Sequence, residues 1–302
     1  MPESVPRQIR LFLSICVVVS AFLFDAPSAT ADPRSAVVEQ DAQPDAESTS
    51  ENYIGAQDIT RPRNQLEIRT RFQTSGQPDK LTKQGRLLSR LTMKISLSPG
   101  WRIGLLAEVP FDDKVTITTK TSESGGTSNS VTNYGIGDTE FQAYLAHDFD
   151  KTLAFAVGAR GVGPSGSDSV GSGKWQVMPG VGLRYSFTDL GPNTYFTPVI
   201  RYALSVAGDP ERRNIRQVQF SPSFNIGIPD RWFVTLYPSY DIRMNFGPEV
   251  SGQKGRLFLP FDVAFGREIS KGLQMSLEVA VPIIRDFPVY NFKTELKMLA
   301  RF

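Results

Sequence analysis

From residue 64 to the last residue, Phe302, apolar and polar side chains alternate in run after run. In 231–245, Trp232, Val234, Leu236, Pro238, Tyr240, Ile242 and Met244 share one parity, and Thr235, Ser239, Asp241 and Arg243 take the other. The final run sets Tyr290, Phe292, Leu296, Met298, Ala300 and Phe302 against Asn291, Lys293, Glu295, Lys297 and Arg301. A strand turns successive side chains to opposite faces, so period two over ten or more residues predicts strands with one apolar and one polar face. Twelve such segments stand out, at 64–73, 86–97, 101–112, 134–147, 152–162, 175–187, 194–206, 215–228, 231–245, 255–268, 272–285 and 289–302.

The connections between them differ in kind. Those at 98–100, 148–151, 188–193, 229–230 and 270–272 are mostly short and turn-like, whereas the intervening ones are generally longer and rich in Gly, Ser or Thr, notably 113–133 and 163–174. Short turns on one side and long loops on the other are the habit of outer-membrane barrels, in which closure of the sheet satisfies every backbone group. The fold expected is all-β: a transmembrane antiparallel up-and-down β-barrel of about twelve strands over 64–302, with both termini on the periplasmic side. Parity turns Trp101, Ile103, Leu105, Ala107 and Val109 to lipid, with Phe141, Ala143, Leu145, Leu153, Phe155 and Val157. Aromatic residues gather at strand ends: Trp101, Phe187, Trp232 and Phe302 toward the periplasm, Phe111, Tyr134, Phe246 and Tyr290 toward the outside, as amphipathic rings do at membrane interfaces. A soluble β-sandwich also alternates, but explains neither the terminal aromatic nor the export signal described next. Pro179, Pro198, Pro222, Pro238, Pro260 and Pro282 fall inside six consecutive strands. Proline lacks the ladder donor, so bulges or bends are expected there.

The N-terminus changes the compartment. Arg7 and Arg10 precede a 14-residue apolar run, Leu11 to Phe24, and Ala29-Thr30-Ala31 offers a small-residue cleavage site. Residues 1–31 therefore read as a signal peptide; the run is short of the roughly 20 residues that a spanning helix needs. No other apolar run approaches that length, which excludes a helical membrane protein. The one cysteine, Cys16, lies inside the signal, so the mature chain has no disulfide or thiolate site. Residues 32–63 carry three arginines and seven acids, net −4, with few large apolar side chains. They are expected to form a disordered acidic periplasmic leader. The whole chain is +2, so residues 64–302 are +6. The mean hydropathy of −0.21 suits a barrel, since only half of each strand meets lipid.

Little points to catalysis. His147, the one histidine, shares the parity of Phe141, Ala143 and Leu145 and reads as an interfacial residue rather than a general base. Asp112 and Asp113 lack the spaced ligand series of a calcium loop, and Gly125-Gly126 and Gly171-Ser172-Gly173 open no helix that would hold a phosphate. No metal, cofactor or nucleic-acid partner is expected. The polar face is the candidate site. Parity turns Arg69, Arg71, Arg90, Lys94, Arg102, Arg160, Arg184, Arg201, Arg243, Arg256, Arg285, Lys293, Lys297 and Arg301 inward, with Glu67, Glu108, Asp138, Glu140, Asp241, Asp262, Glu278 and Glu295. Paired ions filling a narrow lumen and an anion-favouring channel are both compatible with this excess of bases. Twelve strands enclose a backbone cylinder of roughly 24 Å, which bulky inward groups such as Tyr144, Phe233, Tyr237 and Phe258 would narrow.

Two stretches, YGIGDTEFQAYLAHDF (134–149) and AFAVGARGVGPSGSDSVGSGKWQVMPGVGLRYSF (154–187), resemble the outer-membrane barrel family named after the meta-pathway of phenol degradation. Gly135, Gly137, Asp138, Pro164, Gly166, Gly171, Gly173, Lys174 and Trp175 carry the similarity. The resemblance implies a transport barrel associated with aromatic or hydrophobic compounds.

The expected function is a passive channel or uptake port for small molecules in the bacterial outer membrane, for aromatic, hydrophobic or anionic solutes. The pore-lining set expected is Arg69, Arg90, Lys94, Arg102, Glu108, Glu140, Arg160, Arg184, Arg201, Asp241, Arg243 and Glu278. Its partners would be outer-membrane lipid, the solute, and the barrel-assembly machinery acting on the C-terminal strand that ends at Phe302. The alternatives are an enzyme of outer-membrane lipids and a structural barrel without an open pore. The acidic leader beside a basic barrel raises one more possibility, a plug that enters the lumen from below.

Overall fold

The computed structural model describes Gly55 and residues 58–77, 80–122, 125–191 and 193–302. The chain divides into two compact units, Met1–Glu51 and Asn52–Phe302, and every described residue belongs to the second. The expected signal and most of the expected leader lie outside the described residues.

Fourteen strand segments follow in order: β1 (Gln65–Gln77), β2 (Lys80–Ser98), β3 (Trp101–Ser122), β4 (Gly125–Ile136), β5 (Thr139–Asp148), β6 (Leu153–Gly163), β7 (Lys174–Ser186), β8 (Tyr195–Gly208), β9 (Arg216–Ile228), β10 (Trp232–Leu236), β11 (Ile242–Asn245), β12 (Leu257–Ser270), β13 (Leu273–Arg285) and β14 (Phe292–Arg301). Neighbouring strands pair antiparallel, and β1 pairs with β14 to close the sheet. Two pairs of segments are single barrel strands that have been interrupted. β3 pairs with β5 over Trp101–Glu108 and with β4 over Phe111–Ser122, so β4 and β5 form one path broken at Gly137 and Asp138. β10 and β11 both lie between β9 and β12 and are broken at 237–241. The barrel thus has twelve strands.

One rim carries the short turns, the start of β1 and the end of β14; we call it the turn end, and the opposite rim the loop end. Turn chemistry sets the first. Gly100 has φ 77°, open to glycine at little cost. Asp230 and Arg231 have φ of 58° and 64°, the signature of a type I′ turn, which Trp232 N–H closes on the Pro229 carbonyl at 3.4 Å. At the loop end, the expected 113–133 loop is instead largely strand: β3 and β4 run on together as a hairpin, with β2 paired to β3 as far as Thr118. Its threonine-rich alternation is a strand pattern without a strong apolar face.

The barrel is apolar outside and polar inside. On β3, β5 and β6 the side chains of Leu105, Val109, Phe141 and Val157 are exposed, while Glu108, Tyr144, Ala146, Ala154 and Ala156 between them are buried. Exposed apolar residues also cover β2, β7, β12 and β13, among them Ile95, Val181, Phe265 and Leu277. So broad an apolar surface over a charged interior is stable only in lipid.

The prolines coincide with gaps in the ladder. Pro198 and Pro222 face each other across β8 and β9. The β7–β8 register runs from Gly182–Val199 directly to Tyr185–Phe196, omitting the positions that would face Pro198, and from Val177–Leu204 to Gly180–Arg201, omitting those beside Pro179. Pro260 and Pro282 pair at a register shift. Pro238 lies in the break between β10 and β11, where Tyr237 adopts φ 52° and its N–H reaches the Asp262 carbonyl at 2.8 Å.

That break overturns one expectation of parity. Tyr240 does not face lipid: it packs inside against Ile59, Tyr144 and Val199. Once Pro238 releases the ladder, residues 237–241 leave the strand path and the two-residue period stops applying. Tyr290 likewise is no interfacial ring but a buried one, whose hydroxyl donates to Asp241 at 3.2 Å.

Candidate functional site

Charged side chains fill the barrel in connected groups. In the first, β1, β2 and β3 bring together Glu67, Arg69, Arg90 and Glu108. Arg69 Nη2 and Arg90 Nε each donate to Glu108 Oε2 at 2.6 Å, and Arg69 Nε lies 2.8 Å from Glu67. Glu295 of β14 extends the group, accepting from Arg71 Nε at 2.7 Å. In the second, Lys293 Nζ lies among three carboxylates: Asp241 at 2.5 Å, Asp262 at 3.4 Å, and Glu278. These three acids are clustered closely enough to hold a cation. The lysine ammonium already occupies that position, so no metal site follows. In the third, Arg160 Nη1 meets Glu140 at 2.5 Å, while Arg201 donates to Gln219 at 2.6 Å and lies 4.0 Å over the Tyr240 ring. At the turn end Arg102 and Arg184 share Asp148, at 2.5 and 3.0 Å. Groups of this kind hold together because a charge left without its partner in a desolvated site is costly.

All twelve expected pore-lining residues lie on inward-facing positions of the strands or, for Asp241, in the inward break. Arg69, Arg90, Glu108, Arg160, Arg184, Asp241 and Glu278 are buried; Lys94, Arg102, Glu140, Arg201 and Arg243 are partly so. Three other inward assignments need correction. Arg256 and Arg285 stand exposed at the loop-end rim, and Asp138 serves a loop rather than the bore. Reasoning from parity also passed over Arg86, which grips the fully buried Asp112 through Nε at 2.5 Å and Nη2 at 2.9 Å. Arg86 keeps the parity of Arg90, so the same rule would have found it. Arg213 lies outside the strands and carried no such signal.

The loop end opens into a vestibule of about 330 Å³. Arg71, Arg86, Arg213, Arg243 and Lys293 line it against a single acid, Asp241, and Ile215, Val250, Phe287 and Val289 supply an apolar wall. Among the described residues Arg213 meets neutral oxygens: it donates to the Pro248 carbonyl at 3.0 Å and to Asn245 Oδ1 at 2.9 Å. The turn end is different. There Gly55 and residues 58–63, expected to be disordered, meet the inner wall, and Asp58, Ile59 and Thr60 are buried. Two smaller cavities, of about 20 Å³ each, lie beside this segment and beside Tyr240.

Residues 52–302 match the model of the family described as "Putative MetA-pathway of phenol degradation". The chain belongs to this family. It is similar in fold to the COG4313 outer membrane channel from Pseudomonas putida F1, with a TM-score of 0.62 at 14% identity over 82% of this chain and 100% of that one. It is also similar to the transport unit of the autotransporter AIDA-I from Escherichia coli, with a TM-score of 0.50 at 10% identity over 85% of this chain and 96% of that one. No curated protein matches it. The fold is therefore that of bacterial outer-membrane barrels.

In this member of the phenol-degradation family, the Gly, Asp, Lys and Trp positions noted in the sequence form a latch. Asp138, at the β4–β5 break, accepts from Gly166 N–H at 3.1 Å and Ser172 N–H at 2.7 Å, which folds the 164–173 loop back on the break. Gly166 and Gly171 touch there, and a Cβ on Gly166 would lie 2.7 Å from Gly171 Cα. A Cβ on Gly135 would meet Ser167 Oγ at 2.6 Å, and one on Gly137 would meet Asp112 Oδ2 at 2.5 Å. Pro164 leads into the loop and Gly173, with φ 66°, leads out of it. Lys174 then turns inward and Trp175 outward, its ring against Gly163.

His147 belongs to an aromatic cluster on the outer face of the turn end. It stacks on Trp101 at 4.2 Å, with Phe149 and Phe155 edge-on at 5.2 and 6.1 Å.

Proposed function

We propose that the barrel is a passive channel of the bacterial outer membrane, its turn end in the periplasm, and that it admits small anions bearing an apolar or aromatic body. The vestibule carries this reading. Arg71, Arg86, Arg243 and Lys293 are paired with Glu295, Asp112, Asp241, Asp262 and Glu278 at or behind the surface, so Arg213, which meets neutral oxygens, is the charge left to attract an anion, and the Phe287 and Val289 wall suits a ring or short chain attached to the charge. Membership of a family described by phenol degradation and a fold shared with outer-membrane channels both support it. Movement is diffusion down a gradient. The outward apolar faces contact outer-membrane lipid, and the C-terminal strand ending at Phe302 is the part that the assembly machinery engages. A lipid-modifying enzyme would use His147, whose ring packs among other aromatic rings rather than beside a hydroxyl nucleophile.

Liposome swelling with purified protein tests the proposal, using benzoate and the similarly sized benzylammonium. Faster swelling in benzoate is expected. Equal rates, faster entry of the cation, or no entry of either would overturn it.

A further inference from the structure

We propose that Arg267 and Trp232 form a phospholipid site on the outer wall at the turn end, which takes the phosphodiester headgroup of a glycerophospholipid from the leaflet facing the periplasm. The site rests on the outer-membrane reading and not on which solute the bore admits.

Arg267 is out of keeping with its face. Among the described residues it is the one Asp, Glu, Lys or Arg at an outward strand position of the turn end. Its row across β10, β12, β13 and β14 reads Trp232, Arg267, Met275 and Met298. The next outward row toward the middle of the wall reads Val234, Phe265, Leu277 and Leu296. Every neighbour in the two rows is apolar or aromatic, and Phe265, Leu277, Leu296 and Met298 are exposed. A cation on a lipid face is costly at the bilayer centre and tolerated near the headgroups, so Arg267 marks where the apolar band ends on this side.

The guanidinium is also oriented in advance. Its Nε donates to the Asp230 carbonyl at 3.3 Å, and its central carbon lies 5.0 Å over the Trp232 ring, which stacks on Phe265 at 4.8 Å. Among the described residues Nη1 and Nη2 make no hydrogen bond or ion pair. A guanidinium fork matches two oxygens of a phosphate, and stacking on an aromatic face leaves that fork available. Arg231 and Lys271 stand exposed in the turns on either side. Of the two acids close by in sequence, Glu268 is turned inward, accepting from Gly272 N–H at 3.2 Å and lying 3.5 Å from Arg301. That leaves Asp230 as the one acid on this rim against Arg231, Arg267 and Lys271, a balance that favours an anionic headgroup. Below the headgroup, Phe265, Leu277 and Leu296 give the acyl chains an apolar bed.

The opposite side of the same rim is aromatic without this feature. β3 and β5 are third and fourth in the twelve-strand order, and β10 and β12 ninth and tenth, so the two places lie half a circuit apart. At the first, Trp101, His147, Phe149 and Phe155 pack together, but the arginine of that region, Arg102, is turned inward to Asp148. Aromatic rings place both sides at the membrane interface, and only the Arg267 side has a cation with which to select a phosphate.

Native mass spectrometry of the mature chain, released from maltoside micelles with added phosphatidylglycerol, tests the proposal. One phosphatidylglycerol should be retained in preference to a diacylglycerol of the same chains, which lacks the phosphate. Arg267→Gln should weaken that first binding step by about tenfold or more, the loss expected for one charge-assisted pair. Arg267→Lys keeps the charge without the fork and should fall between the two. Phe155→Leu, in the opposite aromatic cluster, should leave the step unchanged. Equal retention of diacylglycerol, undiminished binding by Arg267→Gln, or an equal loss in Phe155→Leu would identify the retained molecule as ordinary boundary lipid and overturn the site. Displacement of the lipid by inorganic phosphate at equal concentration would overturn it in favour of a free-anion site. Should Arg267→Gln fail to assemble, Arg267→Lys decides, and binding equal to the parent's overturns the site. Benzoate entry into liposomes should be the same for Arg267→Lys as for the parent, because the residue lies outside the bore, so failure of the lipid site and failure of the channel reading are read separately.

Discussion

The two ends of the bore are built from the same strands with the same alternation, yet one is open and the other is filled. At the loop end, inward arginines face a cavity of about 330 Å³. At the turn end, Arg184 and Arg102 face Asp58 and Thr60, and Tyr144, Ala146, Ala156 and Val199 pack with Ile59 of the N-terminal chain. The wall alone therefore does not decide whether a barrel of this size has a passage. Chain that has left the wall fills it: Gly55 and residues 58–63 at the turn end, with Tyr240 of the 237–241 break packed beside Ile59.

The largest effect that would break this contrast is expected at Lys293, between the vestibule and the filled half. Lys293→Met leaves Asp241, Asp262 and Glu278 facing one another without their shared cation. Removing one partner of a buried ionic group typically costs about 3–5 kcal/mol, so urea unfolding in detergent micelles should shift by that order. Asp138→Ala comes next. It removes two charge-assisted hydrogen bonds that hold the loop-end latch, each worth about 1.5–3 kcal/mol. The barrel wall should persist while the 164–173 loop loses hydrogen-exchange protection and becomes open to protease. Arg213→Gln is expected to change global stability by no more than about 0.5 kcal/mol, as at other surface sites. Its effect should appear instead in the reversal potential under a KCl gradient, as a smaller preference for chloride. The smallest effect belongs to Asp150, in the turn between β5 and β6. The backbone N–H groups of Leu153 and Thr152 hold its carboxyl below the usual range. A depressed folded-state value means that the contribution is present above the ordinary carboxylate value and is lost as pH falls through the folded one. Asp150→Asn should therefore lower the thermal midpoint slightly at neutral pH and make no difference in strong acid.

Much of the wall was legible because membrane barrels write their geometry in period two. The twelve expected segments correspond to the twelve strands, with small shifts at the ends and the longer β3–β4 hairpin at the top. Leu105 and Phe141 outside, Glu108 and Arg160 inside, follow from parity alone. The proline positions also foretold where the ladder would be interrupted, since a missing N–H must fall where no donor is required. Tyr240 and Asp138 were misplaced because each lies in a break, where the two-residue period stops applying, and Tyr290 because it lies in the loop before β14, where strand parity has not yet begun. Arg256 and Arg285 were misplaced because parity gives a face but not the height at which the bore ends.

What the sequence by itself determined was the sidedness of the cylinder, apolar to lipid and charged within, because alternation along a strand is a local property of the backbone. Which charges meet, that Lys293 lies among three acids, and that the turn end is filled while the loop end holds a cavity were decided only by the tertiary structure. Those contacts join residues on different strands, such as Gly55 and Gln274, which are 219 positions apart, and their pairing depends on the closure, stagger and diameter of the barrel rather than on any local pattern.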